Sequence, residues 1–254
     1  MSFDYFQHKR NNILVVPDAT LPSFLGMIPP YLNQGRMTNS GFEAMLRYTN
    51  SAKNPFRFYV EANAWFAHNK IDFMAEEGKI YDYQRRTGQS YGKSYALIAE
   101  GFFNSQEEIN ASGLTYEWGT IRPGDIRYKD MNGDNVINDN DFYPDGYNNI
   151  PEITMNLESG ISWKDFDFSF LFQGAARRDV YYSISAFAGD SRIPEMARGR
   201  WTSETAQTAT YPRLTTEVDN INFRTSTFWK RNGSFLKLRN VELGYTLKNL
   251  IRKG

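Results

Sequence analysis

The sequence predicts an all-β, antiparallel fold whose strands cross a membrane as a segment of a transmembrane β-barrel with long extracellular loops. Three observations predict it. Several stretches alternate apolar and polar residues with period two, which is the signature of a strand. Short and long connections between those stretches strictly alternate, an asymmetry found in outer-membrane barrels. Aromatic residues make up 16% of the 254 residues, with 16 Tyr and 19 Phe, a richness natural to strands that end at a lipid–water boundary.

The alternating stretches follow one another along the chain. In 40–49, Phe42, Ala44, Leu46 and Tyr48 share one face, and Glu43, Met45, Arg47 and Thr49 take the other. In 56–67, Phe56, Phe58, Val60, Ala62, Ala64 and Phe66 oppose Arg57, Tyr59, Glu61, Asn63 and Trp65. In 153–163, Ile153, Met155, Leu157, Ile161 and Trp163 oppose Thr154, Asn156, Glu158 and Ser162. In 166–173, Phe166, Phe168, Phe170 and Phe172 form an aromatic ladder opposite Asp167, Ser169 and Gln173. The stretch 235–247 differs: its apolar phase runs through Leu236 and Leu238, then jumps to Val241, Leu243, Tyr245 and Leu247. Such a slip requires a bulge near Arg239–Asn240 or a strand that changes facing.

A soluble β-sandwich would show the same alternation, so the connections carry the distinction. Two links are short: Lys164-Asp165, and Asn50 to Pro55. The others run from about 11 to 39, 69 to 150 and 175 to 234, far longer than the roughly 4–6 residues usual in compact soluble domains. In a barrel the short links are periplasmic and the long ones extracellular. Strand 40–49 then runs inward, 56–67 outward, 153–163 inward, 166–173 outward and 235–247 inward.

Lys+Arg and Asp+Glu both total 29, so net charge points to neither nucleic acid nor an anionic surface. Cysteine is absent, which removes disulfides and thiolate metal sites. No run of 18 apolar residues exists, so no helix spans a bilayer, and a barrel would leave no such run.

The most specific chemistry lies in residues 130–141. Oxygen donors fall at loop positions 1 (Asp130), 3 (Asn132), 5 (Asp134), 9 (Asn138) and 12 (Asp141), with the Val136 carbonyl at position 7 and apolar Ile137 at position 8. That spacing wraps oxygens around one Ca²⁺ ion. Position 6 is Asn135 where Gly is usual, and Asn is the next residue best able to take a left-handed backbone. Position 12 is Asp rather than Glu, as in dockerin-like loops. The alternative is an Asx-rich surface turn that binds nothing. A structural Ca²⁺ in the long loop 69–150 is the expectation.

That loop lies inside Pro123-Gly124-Asp125-Ile126-Arg127-Tyr128-Lys129-Asp130-Met131-Asn132-Gly133-Asp134, which resembles a segment of the SusC/RagA family of TonB-dependent outer-membrane transporters of Bacteroidetes-type bacteria. Residues 165–174, the pair Arg200-Trp201-Thr202 and Tyr211-Pro212-Arg213-Leu214, and 228–247 are similar to further family segments in the same order. Weaker echoes at Asp4-Tyr5-Phe6 and Gly41-Phe42-Glu43 reach the first residues. The resemblance implies that 1–254 is a partial C-terminal barrel, about six strands of the roughly 22 of such barrels. The signal peptide, plug and closing strands of the family would lie outside the chain. It further implies import of glycan or peptide oligomers with a SusD-like surface lipoprotein, contact with TonB through the plug, contact with membrane lipid and no nucleic-acid partner.

Catalysis finds no support. Only His8 and His68 are present, and neither sits near a nucleophile signature. His68 reads as an exposed strand-end residue, and Glu76–Glu77 and Glu107–Glu108 as solvated loop acids. Arg177–Arg178 and Arg198–Arg200 read as loop-packing ion pairs. Tyr181, Tyr182 and Trp118 could stack on sugars or fill a loop core, and Trp201 and Trp229 are expected to pack within the loops. The competing reading is a soluble, calcium-stabilised β-sandwich that binds carbohydrate.

Overall fold

The structure, a computed structural model, describes residues 1–16, 30–50, 55–76, 80–182, 195–216 and 221–247. Six strands form one antiparallel sheet in chain order: β1 (Ser2–Val15), β2 (Leu32–Thr49), β3 (Phe56–Phe73), β4 (Ile153–Trp163), β5 (Phe166–Ala176) and β6 (Phe235–Tyr245). Each strand pairs only with its sequence neighbours, so β1 and β6 are open edges and the sheet does not close. No second sheet of comparable size packs on it among the described residues, which removes the β-sandwich reading.

Register turns the alternation into two continuous faces. One row crosses the sheet through Leu46, Ala62, Leu157, Phe172 and Leu238. The rows on either side pass through Ala44, Ala64, Met155, Gly174 and Leu236, and through Tyr48, Val60, Ser159, Phe170 and Val241. The opposite face carries Met45, Asn63, Asn156, Gln173 and Lys237, then Arg47, Glu61 and Glu158. Every apolar set read from the sequence therefore falls on a single side. Leu243 is 77% exposed and Phe166 52%, so this side is an apolar surface that hydrocarbon, not water, would cover.

The slip in 235–247 is a bulge. Asn240 opposes Leu171 and Leu238 opposes Phe172, which leaves Arg239 as the extra residue and keeps Leu236 and Leu238 on the face of Val241 and Leu243. The two-residue hairpin is also present: Lys164 takes φ 56°, the left-handed backbone that tight turns need, and Thr246 donates to the Asp165 carbonyl.

Several strand limits need correction. β1 ends at residue 15 rather than about 10, β2 begins at residue 32 rather than 40, β3 ends at residue 73 rather than 67, β5 ends at residue 176 rather than 173, and β6 ends at residue 245 rather than 247. The first link therefore spans 16–31 and the second 74–152. The residues added to β2 and β3 mix polar side chains such as Arg36, Thr38, Lys70 and Asp72 with apolar ones, and Met37 pairs with the buried Ile71. Backbone pairing continues there although the apolar phase of 40–49 and 56–67 is not kept: Lys70 and Asp72 fall on the side of Phe66 and Ala64.

The packed core is not in the sheet. It lies in the long connections, where Leu97, Phe103, Ile109, Tyr116, Ile121, Ile126, Tyr128, Ile137 and Ile221 form one buried cluster. A short helix, α1 (Gln106–Ser112), contributes Ile109; Ser105 caps it by accepting from the Glu108 N–H, and Gly113 ends it at φ 67°.

Candidate functional site

The loop 130–141 folds as its residue types require. Asn135 takes φ 61° and Gly133 φ 79°, so two left-handed residues make the sharp turn. Asp130 accepts from the N–H groups of Gly133 and Asn135, both at 2.7 Å, and Asp134 accepts from Val136 at 2.8 Å. Asp141 accepts from Met131 and Asn138, both at 2.8 Å, and Asn138 caps the following turn through Asn140. Ile137 is fully buried in the loop core and holds the loop from beneath. The short strand Val136–Ile137 pairs in parallel with Thr115–Tyr116.

Asp141 is itself fully buried. Desolvation raises its pKa first, backbone hydrogen bonds from Asn138 and Met131 lower it, and the charges of Asp130 and Asp134 raise it further. The charges of Asp130 and Asp134 thus reach Asp141. The donor set of three Asp, two Asn and the Val136 carbonyl is one that Ca²⁺ accepts. Among the described residues, however, no three His, Cys, Asp or Glu side chains are grouped as a metal cluster. The second Asp134 oxygen accepts from the Asn132 amide, which also donates to the Tyr81 hydroxyl.

Tyr81 and Tyr83 stack at 5.3 Å beside the loop, and the Tyr83 hydroxyl donates to the Asn140 carbonyl. Gln84 donates to the Asp139 carbonyl. Burial and the nearby carboxylates, Asp141 first, push the Tyr83 hydroxyl up to about 12. The loop is thus wedged between a tyrosine pair and the core.

The two other sequence motifs meet the segment 122–126, just before this loop, through a buried polar centre. Asp125 is fully buried and accepts from the Arg122 N–H at 2.7 Å, from Asn222 Nδ2 at 2.7 Å and from Arg213 Nε at 2.6 Å. Asn222 in turn accepts from the Ile126 N–H, while its carbonyl accepts from Trp229 Nε1 at 2.8 Å. Burial raises the Asp125 pKa, and Arg213 and Asn222 partly offset that rise. Gly124, at φ 90°, lies against the Trp201 ring, where a Cβ would come within 2.5 Å of Cε3.

The expectations for the other side chains resolve individually. Trp229 is fully buried, as expected of a loop-core residue. Trp201 packs on Gly124 but stays half-buried, with its Nε1 donating to Asn104. Trp118 packs on the core edge, under the Arg224 guanidinium. The Tyr181 hydroxyl donates to Asp145, and Tyr182 is exposed beside Arg231. His68 is not at a strand end: β3 runs five residues further, and its Nδ1 lies 2.6 Å from Glu152. That Glu152 also holds Arg177 at 3.4 Å, while Arg198 pairs with Glu195. Glu76 is engaged rather than solvated, accepting from the N–H groups of Arg86 and Thr87. Glu77 lies outside the described residues.

No family model matches the chain. The chain is 27% identical over 265 residues to TonB-dependent receptor P26 of Formosa agariphila, covering 96% of this chain and 25% of that protein. It is 25% identical over 232 residues to TonB-dependent receptor SusC of Bacteroides thetaiotaomicron, covering 86% of this chain and 21% of that protein. The chain thus spans about a quarter of the length of the curated relatives it matches. Its fold is that of a part of the RagAB peptide transporter, with a TM-score of 0.67 and 19% identity over 97% of this chain and 27% of that one. The same transporter in its open-open state gives a TM-score of 0.68. The likeness to TonB-dependent receptors of the SusC and RagA kind, read from motifs, extends over almost the whole chain.

Proposed function

We propose that this chain, similar throughout to TonB-dependent receptors, forms part of the barrel wall and of the extracellular loop layer of an outer-membrane nutrient importer. The importer takes up glycan or peptide oligomers with a SusD-like surface lipoprotein, and TonB drives it through a plug carried elsewhere in the full-length protein. The observation that carries this reading is the two-faced sheet, apolar on one side and polar on the other, in a chain collinear with these receptors over 96% of its length. The reading is transport rather than catalysis, in keeping with the receptors it resembles. Deleting the parent gene should abolish growth on one oligomeric nutrient at limiting concentration and spare growth on its monomer. A strain without such a defect, and from which no lipoprotein co-purifies with the receptor, would remove the basis of the proposal.

We also propose that the loop 130–141 takes one structural Ca²⁺ on Asp130, Asn132, Asp134, the Val136 carbonyl, Asn138 and Asp141. The spacing of donors, the left-handed Asn135 and the core anchor Ile137 support it. The ion would tie the long loop rather than react.

A further inference from the structure

The apolar face of the sheet carries its own depth markers. One aromatic row crosses four strands through Phe56, Trp163, Phe166 and Tyr245, all of them exposed. Near the other end Phe42 and Phe66 pair across β2 and β3, with their rings 5.4 Å apart. Phe56 and Phe66 stand ten positions apart on β3, about 33 Å along the strand. At the strand tilt of about 35–45° usual in outer-membrane barrels, that is about 25 Å across the membrane, the height of their apolar band. The two rows therefore mark the two lipid–water boundaries.

Beyond Phe42 and Phe66 the same face changes chemistry. Ser40 pairs with His68 and Thr38 with Lys70, so Lys70 stands on the side of Phe66, two rows further out. Arg36 then opposes Phe73, with its guanidinium 5.2 Å from the ring centroid. Arg177, just after β5, lies over the Phe66 ring itself at 5.4 Å. Lys70 is four positions past Phe66, roughly 10 Å along the membrane normal at that tilt. A head-group layer is about 5–8 Å deep, and long Lys and Arg side chains reach back along the wall to it.

Two carboxylates share this rim, and both are engaged. Glu152 holds His68 Nδ1 at 2.6 Å and Arg177 at 3.4 Å, and Asp72 accepts from the Thr38 hydroxyl at 2.5 Å. Arg36 and Lys70 are exposed and, among the described residues, have no carboxylate partner. Both stand on strands paired on either side or on the inner member of a pair, away from the open edges, and their side of the sheet stays outward whichever strands extend it.

We propose that Arg36, Lys70 and Arg177 form an outward basic rim that takes the phosphate of an anionic lipid head group in the outer leaflet, its acyl chains lying on the apolar face below Phe42 and Phe66. The inference rests on the barrel-wall reading and names the lipid chemistry that the wall selects. Phosphate at this depth gains charge attraction and charge-assisted hydrogen bonds from the three cations, and its chains continue the contact that the apolar band already makes.

The full-length receptor in a neutral detergent is titrated with phosphatidic acid, with diacylglycerol of the same chains and with inorganic phosphate. Phosphatidic acid is expected to bind at least about tenfold more tightly than diacylglycerol, and the preference should fade with added salt. Inorganic phosphate at matched concentration should not compete, because the chains contribute to binding. The double variant Arg36→Gln, Lys70→Gln should lose most of the preference while keeping diacylglycerol affinity. The variant Lys93→Gln, Lys237→Gln, which removes two cations from a loop and from the polar face, should keep it. Equal binding of the two lipids overturns the rim, as does a preference that survives the first double variant. Full competition by inorganic phosphate overturns it too, since that marks a free-anion site. Should the double variant not assemble, Lys70→Gln alone takes its place. A fluorescent label on Leu157→Cys, in the middle of the band, tests the premise separately with nitroxide-bearing lipid chains. Quenching without a phosphate preference sinks the rim and leaves the wall, whereas no quenching sinks the barrel-wall reading first.

Discussion

Asp125 and Arg213 lie 88 residues apart in the chain and form an ion pair of 2.6 Å in the loop layer, with Asp125 fully buried. One comes from the connection between β3 and β4 and the other from the connection between β5 and β6. Their contact, with Asn222 and Trp229 around it, converts two long loops into one packed body.

Breaking that pair should be costly. Arg213→Met leaves a carboxylate buried with only neutral donors, a change that typically costs about 3–5 kcal/mol. The double variant Asp125→Leu, Arg213→Met should cost less than Arg213→Met alone, because no unpaired charge remains. Thermal melts and limited proteolysis of the loops in the full-length receptor check both statements. An Arg213→Met receptor as protease-resistant as the original would contradict them.

Gly124→Ala tests the neighbouring contact. The substitution adds a Cβ 2.5 Å from the Trp201 ring at a backbone φ of 90°, so clash and strain act together. A loss of about 1–3 kcal/mol is expected, visible as a shift in Trp fluorescence and a lower melting temperature. Trp201→Ala should relieve part of the loss, which a double-mutant cycle would measure.

Calcium binding by 130–141 is expected with a Kd on the order of 10⁻⁴–10⁻³ M, as in extracellular modules. Calorimetric titration of the full-length receptor against an Asp130→Ala, Asp134→Ala variant is the measurement. Indistinguishable isotherms would sink the assignment. Chelation of the unaltered receptor should expose the 81–84 turn, which leans on the loop through Tyr83 and Gln84, to faster proteolysis.

Removing Arg239 should disrupt β6. With the bulge deleted, either Leu236 and Leu238 turn to the polar face or the strand slips against β5. Reduced yield of heat-modifiable, folded receptor in outer membranes is the expected outcome. The point variant Arg239→Ala, which keeps the extra residue, should assemble normally.

Expressed alone in detergent-free buffer, the 254-residue chain should aggregate. Its two edge strands, β1 and β6, present unpaired backbone groups, and the Phe166/Phe168/Phe170/Phe172 ladder would meet water. Size-exclusion chromatography and circular dichroism decide. A monodisperse, cooperatively melting monomer would overturn the reading of the sheet as barrel wall.

The sequence by itself determined the two faces of the sheet, because period-two alternation is local and each strand carries its own facing. It also marked the phase slip near Arg239–Asn240, which a bulge or a change of facing would both produce; the pairing with β5 decided for the bulge. The turn at Asn135 and the anchoring of Ile137 were legible for the same reason: residue type and spacing act within a few positions. Tertiary structure alone decided where β2 and β3 extend beyond their alternating parts, because the apolar phase is not kept there and only backbone pairing marks the strand. It also decided that Asp125 meets Arg213 and Asn222, and that His68 meets Glu152. Those contacts join residues far apart in the chain, and charge or polarity at one position carries no record of the partner that folding brings to it.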